Sequence, residues 1–110
     1  MVMEKLYNKL VRDNIPTIIK NNGGEPICHI LGDKEYEEAL KKKLFEELNE
    51  VCEAKGTERI EELADVYELI RTLAELYDSS MENVARLANK KKKERGAFEK
   101  KIYLEKVIEE

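Results

Sequence analysis

Two pairs of acids flank a helix break: Glu47 and Glu50 precede Lys55-Gly56-Thr57, and Glu62 and Asp65 follow it. The spacing is mirrored, with Glu50 and Glu62 each six residues from Gly56 and Glu47 and Asp65 each nine. Residues three apart share one side of a helix, so if the two segments fold back on each other the pairs meet roughly 9 and 13 Å from the bend, at about 1.5 Å per residue. Four carboxylates converging beside apolar residues are costly unless cations offset them. An all-oxygen donor set of this kind suits Mg²⁺, with Mn²⁺ as a substitute.

The elements that must position these acids are legible from the apolar spacing. Gly56 is a natural helix stop and Thr57 a natural N-cap, which predicts an antiparallel helical hairpin. On the first helix, read from Asp33 as a capping residue through Lys55, the apolar stripe is Leu40, Leu44, Leu48, Val51 and Cys52. Glu47 lies i+3 from Leu44 and Glu50 follows on the same edge, while Glu46 and Glu53 fall on the opposite, solvated side. On the second helix Leu63, Val66, Ile70, Leu73 and Tyr77, joined by Leu69 and Leu76, make a wide apolar face with Glu62 inside it and Asp65 at its border. Glu61 and Glu68 point away from that face.

Around this hairpin the chain supplies shorter pieces. Asp13 or Asn14 caps a short helix whose first turn accepts Pro16 and which runs to about Asn21. Asn21-Asn22-Gly23-Gly24 is a strong break, and Pro26 to Leu31 reads as a brief extended strap over the helices. His29 is the only histidine, so histidine metal sites and nucleophile–histidine pairs have little to draw on. Asp78-Ser79-Ser80 ends the second long helix and caps a further one that reaches about Glu94, with Glu82 in its first turn. A run of cations, Lys90 to Lys93 and Arg95, closes that helix, and the tail from Phe98 starts extended.

At 110 residues the chain predicts one domain, residues 1–110, and its formal charge of −4 with 40% charged residues argues against binding nucleic acid over the whole surface. There is no apolar run of membrane-spanning length and no long apolar segment after Met1, so no membrane partner is expected and cytoplasmic localisation is. Cys28 and Cys52 offer neither a disulfide framework nor CxxC spacing, and both read as reduced, Cys52 as a small core residue. No GxxxxGK[ST] loop is present, so any phosphate chemistry rests on the acids.

Glu46-Glu47-Leu48-Asn49-Glu50 followed by Glu62-Leu63-Ala64-Asp65 reads EExxE then ExxD, and resembles the MazG-like and phosphoribosyl-ATP pyrophosphohydrolase superfamily. The opening Lys9-Leu10-Val11-Arg12-Asp13-Asn14-Ile15-Pro16 is similar to the KLVRD-x-IP start of a MazG-like subgroup, and Lys91 to Phe98 to its Lys/Arg-Gly-x-Phe segment. The resemblance implies an all-α, four-helix-type bundle built on the hairpin, homodimeric or homotetrameric. It implies Mg²⁺ held by Glu47, Glu50, Glu62 and Asp65, with Glu47 or Glu50 orienting the attacking water. The implied activity is hydrolysis of a nucleoside triphosphate between the α and β phosphates, phosphoribosyl-ATP being an alternative substrate. Arg95 and Lys91 or Lys92 would then contact phosphate, while Lys9 and Arg12 would either reach phosphate or serve as N-terminal packing and ion-pair residues. A non-enzymatic helical oligomerisation or adaptor domain is the competing class.

Overall fold

The computed structural model describes residues 3–109, and its regular elements are four helices with no strand among the described residues: α1 (Ile15–Asn21), α2 (Asp33–Glu53), α3 (Glu58–Leu76) and α4 (Met81–Arg95). Each begins where the local chemistry dictates. Pro16 sits in the first turn of α1 behind Asn14, with a fixed φ that suits a helix start. Gly32 caps α2, which places Asp33 in the first turn beside Glu35 rather than at the cap; there both acids face the positive end of the helix dipole. Thr57 precedes α3 without a side-chain hydrogen bond, whereas Ser80 caps α4 by accepting from the Asn83 amide at 3.1 Å.

The stops are local as well. α2 ends at Glu53, two residues before the predicted Lys55, because Ala54 is already extended; Gly56, at φ 59, then takes the left-handed conformation that reverses the chain. Gly96, at φ 82, ends α4 and donates its amide to the Lys92 carbonyl at 2.8 Å.

α2 packs along α3, and α4 packs on α3. At the far end from Gly56, the Tyr77 hydroxyl donates to Glu37 Oε1 at 2.8 Å, tying the last turn of α3 to the first turns of α2. The apolar core is small: Leu40, only 2% exposed, lies on α2, and Val66, Leu69 and Ala74 lie on α3. Short of the expected four-helix bundle, α1 packs on no other helix among the described residues. At seven residues and with none of them buried, it has too little apolar surface to dock.

Two further expectations are corrected here. Pro26 to Leu31 forms no strand, and Ile27 and Ile30 are exposed rather than laid on the helices. Cys52 is exposed, as is Leu48, so the expected α2 stripe is only partly inside. The helical phase explains it. At about 100° per residue from Leu40, Leu48 and Cys52 lie 80–120° round the helix, past the edge of a contact with one neighbour. The tail makes a turn, with the Lys101 amide bonded to the Phe98 carbonyl at 3.2 Å, and then continues without regular structure.

Candidate functional site

Three of the four mirrored acids meet. One carboxylate oxygen from each of Glu47, Glu62 and Asp65 lies within 4.8 Å of the others, and all three residues are half-buried. Helix phase is the cause. Rotating from the buried Leu40 on α2, or Val66 on α3, in one sense reaches Glu47 and Glu62 after roughly 20–40°, just at the border of the packed face. Glu50 and Asp65 lie about 80–100° round in that sense. In the opposite sense, roughly 60–140° away, stand Phe45, Leu48, Ile60, Leu63 and Tyr67, all exposed. The helix pair therefore has an acidic side and an apolar side.

Glu50, expected as the fourth ligand, is exposed and stands outside the trio. Rotation alone does not separate it from Asp65, which lies as far round; Asp65 is held by the Arg12 guanidinium, whereas Glu50 has no ion-pair partner among the described residues. It still acts electrostatically. Burial first, and then the charges of Asp65, Glu47 and Glu50, push the Glu62 carboxyl above its ordinary value of 4.5, helped by a hydrogen bond with Glu47. Glu62 is thus the acid at which desolvation and like charge concentrate.

Two cations reach the cluster. Arg12, arriving from the segment before α1, donates from Nη2 to Asp65 Oδ1 at 2.7 Å. Lys43 Nζ lies 3.7 Å from Glu47 Oε1, with both side chains largely covered. Sequence reasoning missed Lys43, although its i,i+4 spacing to Glu47 on one helix was a usable signal.

The other predicted phosphate contacts do not join the cluster. Lys9 lies 5.5 Å from the Tyr7 ring centroid, a cation–π contact within the N-terminal segment. Lys91, Lys92 and Arg95 are exposed on α4 and form no ion pair among the described residues. A shallow groove does run along α4, but Glu82, Arg86, Lys90 and Lys93 border it, not these three.

The donor set can be tested against the metal that the sequence suggests. Mg²⁺ takes oxygens at about 2.0–2.1 Å in octahedral geometry, which separates adjacent ligand atoms by about 3 Å and opposite ones by about 4 Å. The three carboxylate oxygens, within 4.8 Å of one another, lie near that range, and all are hard donors. Glu47, Glu62 and Asp65 thus fit a hard divalent cation. No family model, curated protein or solved structure matches this chain. No helix among the described residues is long and apolar enough to cross a membrane.

Proposed function

We propose that this chain is a Mg²⁺-dependent nucleoside triphosphate pyrophosphohydrolase of the MazG-like kind, releasing nucleoside monophosphate and pyrophosphate. The observation that carries the reading is the convergence of Glu47, Glu62 and Asp65 from two helices. In it α2 and α3 form an antiparallel hairpin, an arrangement supported by the Tyr77–Glu37 bond at one end and the acid cluster at the other. The chain works as a homodimer or homotetramer in the cytoplasm.

Each residue has a task in this scheme. Glu47, Glu62 and Asp65 hold Mg²⁺, with Mn²⁺ an acceptable substitute because the donors are all oxygen. Bound there, the metal supplies Lewis-acid polarisation of phosphate oxygens and a lowered pKa for water. Glu50, free of the trio yet beside it, accepts the proton of the attacking water and completes the cluster's negative field. Arg12, held at Asp65, is placed to turn its guanidinium towards a triphosphate oxygen. Lys91, Lys92 and Arg95 serve the departing pyrophosphate only if assembly brings a basic segment to an acidic side, so their part is secondary. No glycine cradle is required, since charge on the phosphates is offset by metal and guanidinium.

The competing reading, a non-enzymatic oligomerisation domain, draws on the exposed apolar side of the helix pair. One experiment separates the two. A panel of canonical and modified nucleoside triphosphates, with phosphoribosyl-ATP included, is incubated with the protein and Mg²⁺, and pyrophosphate release is measured. Hydrolysis that stops on chelation supports the enzyme. Absence of pyrophosphate across the panel, together with no thermal stabilisation by saturating Mg²⁺, overturns it.

A further inference from the structure

The surface of this chain is too large for a folded molecule of its mass. A 12.8 kDa monomer is expected to expose about 6,300 Å², but the chain exposes 10681 Å², roughly 4,400 Å² more. Its radius of gyration is 19.2 Å where about 13 Å is expected for 110 residues, and its long axis extends 72 Å against 34 and 26 Å. Two regions of the exposed surface are notably apolar. One is the apolar side of the helix pair, where Phe45 is 72% exposed and Ile60 69%. The other is the stretch after Gly96, where Phe98 is 96% exposed and Tyr103 89%, with Ile102, Leu104 and Ile108 also open.

We infer that residues 97–109 are an arm exchanged between two copies of this chain, each arm lying on the apolar side of the other copy's α2–α3 pair. The arm makes one backbone hydrogen bond, inside its own turn, and none to the rest of the described residues. It therefore has donors, acceptors and apolar side chains to offer elsewhere. Its reach is sufficient. Extended at about 3.3 Å per residue it spans about 40 Å, and α2, at 21 residues and about 1.5 Å each, is about 30 Å long.

A second copy, rather than an unrelated protein, is the occupant that the areas favour. A standard interface removes about 800 Å² from each partner, well short of the excess here, which belongs with obligate assemblies. With so few buried apolar residues the chain needs that cover in order to be stable at all, so the partner must be present whenever the chain is. Each chain carries both an arm and an uncovered apolar side, and reciprocal exchange about a two-fold axis satisfies both at once in a closed dimer. This inference stands apart from the metal reading, because it uses the side of the helix pair opposite the acids.

The full chain is tested directly. Sedimentation equilibrium at micromolar concentration should return about twice 12.8 kDa, and a mass of 12.8 kDa overturns the exchange. Cys52, exposed on the apolar side, provides a handle for contact. In a Cys28→Ser, Leu104→Cys chain, mixed from ¹⁴N and ¹⁵N preparations after co-refolding, oxidation should give arm-to-α2 disulfide peptides of which about half pair unlike labels. Peptides pairing only like labels place the arm on its own chain, and an assembled dimer without arm-to-α2 disulfides places it elsewhere; either result sinks the proposal. Ile102→Asp with Leu104→Asp in the full chain should weaken dimerisation at least tenfold, whereas an arm that is merely solvated would leave the dimer constant unchanged.

Discussion

The acidic side of the α2–α3 pair and the basic end of α4 are both rich in charge, yet only in the first do side chains from two elements converge. Glu47, Glu62 and Asp65 come from two helices whose packing is fixed by Leu40, Val66 and Leu69, so their direction is decided by contacts between elements. Lys91, Lys92 and Arg95 belong to one exposed helix end and make no ion pair among the described residues, so their charges spread into solvent. Their local task is a favourable one, since Lys92, Lys93 and Arg95 occupy the last turn of α4 where the dipole is negative. Charge alone does not make a site. Convergence needs a packed face on each of two elements.

The sharpest way to break this contrast is to neutralise one member of each region. Glu47→Gln should reduce Mg²⁺-dependent pyrophosphate release by about 10²–10³-fold, the effect of several kcal/mol of lost charge stabilisation. Lys92→Ala should change it by less than about fivefold, as expected for a solvated cation that touches no acid. Equal losses, read as pyrophosphate release against Mg²⁺ concentration, would mean that assembly brings the α4 cations to the acids.

A second measurement separates the regions by stability. Ser80 caps α4 through the Asn83 amide, so Ser80→Ala should cost about 1 kcal/mol, seen as a lower Tm in thermal denaturation. The stabilisation given by saturating Mg²⁺ should be the same in both proteins, because the acids lie on α2 and α3. A smaller Mg²⁺ response in the variant would couple α4 to the acidic side.

How far the sequence foretold this arrangement follows the same line. The mirrored distances about Gly56 made the meeting of α2 and α3 acids legible, since spacing along each helix and the position of the break are both sequence properties. The bounds of α1, α3 and α4 were legible too, from Pro16, Thr57 and Ser80. Glu50 was not, because Asp65 shares nearly the same rotation and still joins the trio; what distinguishes the two is the Arg12 guanidinium at Asp65, which comes from a segment remote in sequence. Cys52 and Leu48 were misplaced for a related reason: an apolar wheel position marks a face to be covered, not which chain covers it. Arg12 was readable only as a choice, for nothing in residues 7–16 tells where the segment before α1 meets the α2–α3 pair.

The like-charge strain at Glu62 gives a third, smaller effect with a definite sign. Its carboxyl sits above the ordinary value of 4.5, so the folded state holds that proton more tightly than the unfolded chain does. Stability from this group is fully present below pH 4.5 and is lost as pH rises through the raised value. Without metal, Glu62→Gln should therefore raise Tm at pH 7 and lose that advantage below about pH 4.5, where the native acid is itself protonated. No equivalent gain is expected from Glu53→Gln, which is exposed at the end of α2 and outside the acid trio. A pH-independent gain in the Glu62 variant would attribute it to helix propensity instead of charge.

The smallest effect concerns Arg12, a cation that crosses from another segment to the acidic side. Its bond to Asp65 is about half exposed, so Arg12→Gln should cost less than about 1 kcal/mol of stability, and the difference should shrink further in molar salt. The informative readout is metal affinity. The guanidinium and a divalent cation compete for the same Asp65 oxygen, and removing the guanidinium leaves the trio more negative. Titrated by calorimetry without nucleotide, the variant should bind Mg²⁺ a few-fold more tightly, while its KM for nucleotide rises because a phosphate partner is gone. Opposite shifts in the two constants are what a shared carboxylate requires. Unchanged Mg²⁺ affinity would mean that the metal and Arg12 do not meet at Asp65, and the ligand set would then have to be Glu47 and Glu62 with Glu50 drawn in from the solvated flank.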